Sequence, residues 1–311
     1  MPDRKPIPTA GFVAVVLVLA SEVVFLARTE PLTGWPLFEL TADDAVLVGK
    51  EQLLDRSAGR VVLVGDSSCM MGLVPAEIRQ EVGPALNLGT MIDMTPAGFS
   101  VMAGEALERE PPPRMVVLAV LPHAFEATEA RAAERDQLGR YLIAYHRTSP
   151  LYHPGAADVR SWFYRKHRVN VFPPEMGGSF SAFAAALSES DGYYPERSKY
   201  TGARTVRDDF TPTPFAREAV RLLVKSAKAR GVPVVLWLNP SPVDAVTSEY
   251  ASKVDAFLEQ LRREEPDLRV PQTRTPVRGV GSFGTVTHLT PEAAKLQSQE
   301  LGRVLKSIRG P

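Results

Sequence analysis

An apolar run that ends in a Gly-Asp-Ser turn most constrains what this chain can fold into. Residues 60–73 read RVVLVGDSSCMMGL, and Val61 to Val64 show no alternation of apolar and polar side chains. Such a run is typical of a strand that is buried on both faces of a parallel sheet. Ser67 would then lie at the carboxyl end of the strand, where open α/β sheets bind their ligands. The same tripeptide also suits a simple turn and helix cap, so by itself it leaves both interpretations open.

Strand and helix signals alternate along the rest of the chain. Strands are predicted at 61–64, 85–88, 115–121, 232–238 and 268–270. Helices are predicted at 75–82, 95–110, 124–138, 214–230, 244–264 and 291–308, the second of them with Thr95 as its N-cap. This alternation predicts an α/β fold with a parallel sheet of about five strands and helices on both faces. The pattern does not set the order of the strands.

The first 28 residues predict a membrane anchor. Gly11 to Ala27 is almost wholly apolar, which reaches the lower limit for a membrane-spanning helix. Arg4 and Lys5 precede it, and this basic flank predicts that the N-terminus stays in the cytoplasm. We therefore expect a single-pass protein of the inner (cytoplasmic) membrane with its C-terminal domain outside the cytoplasm. A cleaved signal peptide and a buried core helix are the alternatives.

The remainder divides into a linker and one large domain. Residues 29–58 are mixed in composition and predict a linker that packs on the domain, which would span 59–311. Regular patterns disappear at about 141–213, and a structureless loop of that length is improbable in a compact domain. We therefore expect an irregular insertion with short helices that covers the ligand crevice.

Composition excludes some classes of function. Lys plus Arg and Asp plus Glu number 36 each, so the charge balance gives no support for a nucleic-acid partner. Cys69 is the only cysteine, which excludes an internal disulfide and disfavours a Cys-rich metal site. No metal site and no cofactor are predicted.

Two later segments complete a recognisable pattern with the Gly-Asp-Ser turn. Asn87-Leu88-Gly89-Thr90 closes a short apolar segment, and Thr287-His288-Leu289-Thr290-Pro291 precedes the last predicted helix. Together they resemble the SGNH (GDSL-type) hydrolase superfamily over roughly residues 59–308. Gly65-Asp66-Ser67-Ser68 followed by Met71-Gly72-Leu73 is similar to its membrane-anchored members in bacterial cell-envelope acylation. The resemblance implies a three-layer, flavodoxin-like fold behind one transmembrane helix.

The resemblance also implies a set of site residues. Ser67 would be the nucleophile, and His288 would take its proton and return it to the leaving group. The backbone N–H groups of Ser67 and Gly89 would hold the oxyanion. Asp66 is a further candidate for the oxyanion or substrate site. The competing histidines are His123, His146, His153 and His167.

Two departures from the family pattern leave the chemistry open. The third strand ends in Leu121-Pro122-His123 rather than in the family's Asn-bearing block, so His123 is the candidate third donor. The family's acid lies three residues before the His, and Thr285 occupies that position. A hydroxyl can accept the imidazole N–H but cannot balance an imidazolium charge. The site could run as a Ser–His dyad, recruit Asp66 or Asp191, or be inactive.

The resemblance thus implies a membrane-anchored serine esterase or O-acyltransferase that acts on a cell-envelope glycan or a related ester. A membrane-bound O-acyltransferase would be the partner that supplies activated acyl groups. The alternative is a catalytically inactive scaffold or binding protein of an envelope acylation system, and Thr285 is the main reason to consider it. A soluble lipase or esterase with a cleaved signal is the third interpretation.

Overall fold

A computed structural model describes residues 42–130, 137–155, 180–203 and 205–309. The predicted membrane anchor, the first part of the predicted linker and much of the predicted insertion lie outside these residues. Among the described helices, none has both the length and the apolar character needed to cross a membrane.

The core of the fold is a five-stranded parallel sheet with the strand order β2-β1-β3-β4-β6. Its strands are β1 Val61–Gly65, β2 Ala85–Asn87, β3 Met115–Val120, β4 Val234–Leu238 and β6 Leu268–Arg269. Two further strands, β5 Ser241–Pro242 and β7 Val277–Arg278, form a separate parallel pair. The order of the main sheet is that of flavodoxin-like folds, whose ligands bind at the carboxyl ends of the strands where the order reverses. The prediction of a parallel sheet of about five strands is confirmed.

Helices cover both faces of this sheet. They are α1 Ala42–Leu53, α2 Ser67–Gly72, α3 Pro75–Val82, α4 Thr95–Leu107, α5 Gln137–Ala144, α6 Phe180–Glu189, α7 Pro214–Ala229, α8 Ser248–Glu264 and α9 Pro291–Arg309. Short 3₁₀ turns lie at Leu54–Ser57, Ile92–Met94, Pro122–Glu126 and Val280–Ser282.

The two faces of the sheet belong to two hydrophobic clusters, because successive side chains of a strand point to opposite sides. Leu63 and Trp237 pack in the cluster that includes Leu301 and Leu305 of α9. Val62 and Val64 pack in the larger cluster with residues of α4, α7 and α8. Continuous apolar runs such as 61–64 are therefore required on the central strands, since water reaches neither side.

Part of the segment predicted to be a linker that packs on the domain is helical. Helix α1 lies within 29–58, and its residues Ala45, Leu47 and Val48 are fully buried in the larger cluster. This helix therefore packs on the domain and contributes to its hydrophobic core.

Two predicted helices differ from the structure at their starts. Thr95 begins α4, but its φ of 58° is not helical and its hydroxyl has no hydrogen-bond partner among the described residues, so it provides no side-chain cap. The helix predicted at 124–138 is replaced at its start by the 3₁₀ turn Pro122–Glu126, and Leu138 is buried in α5 rather than exposed. Residues 131–136 lie outside the described residues.

Candidate active site

Ser67 lies at the junction between the central strand and the helix that follows it. β1 ends at Gly65, and Ser67 is the first residue of α2. Asp66 is the N-cap of this helix, and its carboxylate accepts a hydrogen bond from the Ser68 N–H at 2.9 Å. As the first helical residue, Ser67 has a backbone N–H that the helix itself leaves unpaired. The turn therefore holds the hydroxyl and the amide of Ser67 at the carboxyl edge of the sheet.

A continuous chain of hydrogen bonds joins Ser67 to a histidine and a carboxylate. His288 Nε2 lies 2.9 Å from Ser67 Oγ, and His288 Nδ1 lies 2.7 Å from Glu196 Oε2. The side chains of His288 and Glu196 are only 15% and 10% exposed. Among the described residues, His288 is the histidine that hydrogen-bonds to Ser67. The structure thus brings together the two predicted residues, Ser67 and His288, and adds a third that the sequence did not predict.

Glu196 is ionised in this arrangement. Its hydrogen bond to His288 lowers the pKa of the Glu196 carboxyl to about 2, with further lowering by hydrogen bonds from Ser198 and a partial offset from burial. A carboxylate can only accept, so His288 Nδ1 carries the proton toward Glu196. In the neutral imidazole, Nε2 is then the acceptor nitrogen, and it faces the Ser67 hydroxyl. This is the tautomer that general-base catalysis by histidine requires.

Hydrogen bonds within the loop before α9 position the backbone of His288. Thr285 Oγ1 accepts the backbone N–H of His288 at 3.1 Å, and the N–H of Gly284 donates to the His288 carbonyl at 2.9 Å. Thr285 therefore stabilises the conformation of the loop. The carboxylate that pairs with His288 is that of Glu196 in the predicted insertion.

Asp66 does not take the role predicted for it. The carboxylate is buried and accepts hydrogen bonds from the Ser68 hydroxyl, the Ser68 N–H and, at 3.0 Å, the Leu121 N–H. Asn239 Nδ2 donates to Ser68 Oγ at 2.8 Å, so this network joins the ends of β1, β3 and β4. Burial raises the pKa of the Asp66 carboxyl. Asp66 supports the site from within the protein and does not hydrogen-bond to His288.

Asp191 also serves a structural purpose rather than orienting His288. Its carboxylate forms ion pairs with Arg56, Arg60 and Arg79, the pair with Arg60 at 2.9 Å. Its carbonyl accepts the backbone N–H of Asn87 at 2.8 Å. Asp191 thus fixes the insertion to the edge of the sheet five residues before Glu196.

Gly89 lies beside α2, but its amide proton is already engaged. The Gly89 N–H donates to Asn87 Oδ1 at 2.8 Å, whereas the prediction assigned this proton to the oxyanion. Asn87 Nδ2 in turn donates to the carbonyls of Cys69 and Leu73, each at 2.8 Å. The segment that ends β2 therefore latches α2, and this latch sets the position of the helix that begins with Ser67.

Gly89→Ala is expected to lower the free energy of unfolding by about 1–3 kcal/mol, the usual cost of overpacking. A Cβ at this position would lie 2.6 Å from the Met70 nitrogen and 2.9 Å from Cys69 Cβ, so α2 would have to move. Urea unfolding measures the effect. Gly104→Ala is the matched control, because a Cβ there meets nothing within 4 Å. Equal effects of the two substitutions would contradict the latch.

A cavity of about 590 Å³ opens beside the His288 loop. Thr285 and Thr287 line it, and so does Ser198, whose N–H donates to Glu196. His123 lies in its wall, so the predicted third donor faces the cavity, and its role there stays a prediction. His167 lies outside the described residues.

The described ranges contain no candidate metal cluster. Within residues 42–130, 137–155, 180–203 and 205–309, no group of three or more His, Cys, Asp or Glu residues could hold a metal ion. Cys69 is buried, and burial raises the pKa of its thiol.

Comparison with known proteins identified no family, since no family model, no curated protein and no solved structure matches this chain. Ideas about its function therefore depend on the geometry of the site and on the resemblance in the three sequence segments.

Glu196 could not be singled out from the sequence. It follows Asp191-Gly192-Tyr193-Tyr194-Pro195 in a stretch without helical or strand periodicity, and several other acidic residues lie in the same insertion. The one available signal was indirect, because Thr285 at the usual acid position implies that any carboxylate partner comes from elsewhere.

Proposed function

We propose that the chain is a serine esterase or O-acyltransferase with Ser67 as nucleophile, His288 as base and acid, and Glu196 as the residue that orients His288. The observation that carries the proposal is the hydrogen-bonded chain from Ser67 Oγ through the imidazole to the Glu196 carboxylate. A serine hydroxyl is a weak nucleophile at its own pKa and needs an adjacent base that is itself held in position. Here Ser67 supplies the hydroxyl, His288 is the adjacent base, and Glu196 holds that base in position.

The proposed reaction begins with proton transfer from Ser67 to His288 Nε2 as Ser67 Oγ attacks the ester carbonyl carbon. The new C–O bond produces a tetrahedral oxyanion, and the imidazolium is stabilised by Glu196. His288 then returns the proton to the leaving alcohol oxygen as its bond to carbon breaks, which leaves an acyl-serine. Water or an acceptor hydroxyl then loses its proton to His288 as its oxygen attacks the acyl carbon. The bond between this carbon and Ser67 Oγ breaks, and His288 returns the proton to Ser67 Oγ.

The Ser67 backbone N–H is the proposed donor to the oxyanion. It lies at the start of α2, where amide protons are unpaired and the helix dipole favours negative charge. The Gly89 N–H is occupied by Asn87, so this site has fewer preset donors than the family pattern implies. His123 in the cavity wall remains the candidate for a second donor.

The finer fold assignment and the cellular setting belong to the same proposal. An SGNH-like fold is supported by the strand order and by the placement of Ser67 after β1 and His288 before α9. The acid differs, because Glu196 comes from the insertion. Membrane anchoring through residues 11–27, a domain outside the cytoplasm, a cell-envelope glycan or related ester as substrate, and an acyltransferase partner remain proposals from the sequence.

Labelling of the full chain with a fluorophosphonate tests the proposal. The wild-type protein is expected to be labelled at Ser67, because the His288–Glu196 pair activates its hydroxyl. Ser67→Ala is expected to abolish labelling, and His288→Ala to slow it at least about 100-fold, within the range for general-base catalysis.

Ser252→Ala and His153→Ala serve as matched controls that should label normally, since neither residue belongs to the hydrogen-bonded chain. Absence of labelling in the wild type, both with and without membranes and beside a reactive control hydrolase, would favour the inactive scaffold instead.

A further inference from the structure

The cavity beside His288 is built by the loops that carry the site. The loop after β3 contributes Leu121 and His123, the segment after β4 contributes Ser241, and the insertion contributes residues 198–202. At ~30 Å³ for each water-sized group, about 590 Å³ holds roughly twenty heavy atoms, about the size of two sugar rings. The cavity is therefore large enough for much more than a small leaving alcohol.

Basic and hydroxyl-bearing side chains line this cavity together with apolar ones. Lys199 and Arg207 line it, and no Asp or Glu is among the described residues of its wall. Arg207 is compensated by an ion pair with Glu126 at 3.2 Å. Lys199 is exposed, lines the cavity and makes no ion pair with another described residue, so among these residues its charge is not compensated.

Hydroxyl groups in the wall complement this charge. Ser198, Thr201 and Ser241 line the cavity, and the hydroxyl of each can donate as well as accept a hydrogen bond. Such groups suit the alternating hydroxyls of a carbohydrate.

We propose that this cavity binds the alcohol portion of the ester, and that this portion is a carbohydrate with a carboxylate or phosphate group that pairs with Lys199. That the ligand is part of an ester rests on the proposed function. Binding of the carbohydrate in the cavity does not require a reactive serine. Lys199 is the residue that would discriminate between charged and neutral ligands, because the charge of Arg207 is already paired with Glu126.

Calorimetric titration of the full-length Ser67→Ala protein tests the binding apart from catalysis. The probes are tetragalacturonic acid and its methyl ester, which differ in charge, together with glucose 6-phosphate and glucose. A charged sugar is expected to bind about three- to ten-fold more tightly than its neutral counterpart, consistent with one solvent-accessible charge pair. The preferred probe assigns the charged group as carboxylate or phosphate.

Lys199→Gln in the same background is expected to remove this preference and leave the binding of the neutral sugar unchanged. The exposed Lys225 on α7 provides the matched control Lys225→Gln, which should retain the preference. Added salt should weaken the binding of the charged sugar and leave the binding of the neutral sugar unchanged. Equal binding of charged and neutral sugars, binding of none of them, or a preference that survives Lys199→Gln would overturn the proposal. A failure to label Ser67 would instead count against the proposed function.

Discussion

Glu196→Gln is expected to lower kcat for ester hydrolysis by about 10³–10⁴-fold, as loss of the orienting carboxylate does in serine triads. The amide nearly keeps the size of the side chain but removes its negative charge. An amide that presents its NH₂ group to His288 Nδ1 would force the proton onto Nε2, which could then no longer accept the Ser67 proton. The rate of p-nitrophenyl acetate hydrolysis and the rate of fluorophosphonate labelling both measure the loss.

The low pKa of Glu196 adds a second expectation to this test. Because the Glu196 carboxyl titrates at about 2, it stays ionised at every pH at which the protein would be assayed. Activity lost on acidification above that pH therefore reports groups other than Glu196. Glu189→Gln, an exposed change in the same insertion, should keep wild-type activity. A Glu196→Gln protein that folds normally and hydrolyses the ester at the wild-type rate would show that Ser67 and His288 act as a dyad.

The sheet was predictable because burial on both faces leaves a direct trace in the sequence. The runs at 61–64, 115–121 and 232–238 contain few polar side chains, and all three became central strands. The strand order was not predictable from these runs, since any central position imposes the same apolar pattern. Likewise, α1 resembled a linker because its packing partners lie far away in the sequence.

The site was predictable to the extent that its residues lie next to such elements. Ser67 follows the most apolar strand, and His288 directly precedes the last helix, so both stood at recognisable boundaries. Glu196 stands at no boundary, and its placement depends on contacts that Asp191 makes with Arg56, Arg60 and Arg79. Such tertiary contacts leave no local pattern. The occupied amide of Gly89 was hidden for the same reason, since it depends on the side-chain orientation of Asn87.

A buried lysine joins the insertion to the sheet beneath this site. Lys50 on α1 is fully buried, and its Nζ donates to the carbonyl of Asn87 at 3.0 Å and to the carbonyl of Gly192. Asn87 holds α2, which begins with Ser67, and Gly192 precedes Glu196 by four residues. The Lys50 side chain therefore contacts both the segment that positions Ser67 and the segment that carries Glu196. Burial lowers the pKa of Lys50 to about 7, with a partial offset from Cys69.

This depressed pKa predicts how stability varies with pH. The unfolded chain keeps the Lys50 proton up to the ordinary pKa of 10.5, while the folded protein releases it above about 7. Between these values the unfolded state binds more protons, so the free energy of unfolding should rise with pH. The contribution of Lys50 to this rise is roughly 5 kcal/mol over the full interval, at about 1.4 kcal/mol per pH unit.

Lys50→Met is expected to remove that contribution. Urea unfolding at pH 6.5, 8 and 9.5 should show a rise in stability for the wild type that is much smaller in the variant, whatever the difference between the two proteins at a single pH. The loss of hydrogen bonds to Asn87 and Gly192 shifts the variant's stability by a similar amount at each pH, so the slope isolates the charge. Lys225→Met, at an exposed position, should preserve the wild-type slope. Identical slopes for wild type and Lys50→Met would mean that Lys50 keeps its proton in the folded protein, and that the carbonyls of Asn87 and Gly192 stabilise an ammonium ion.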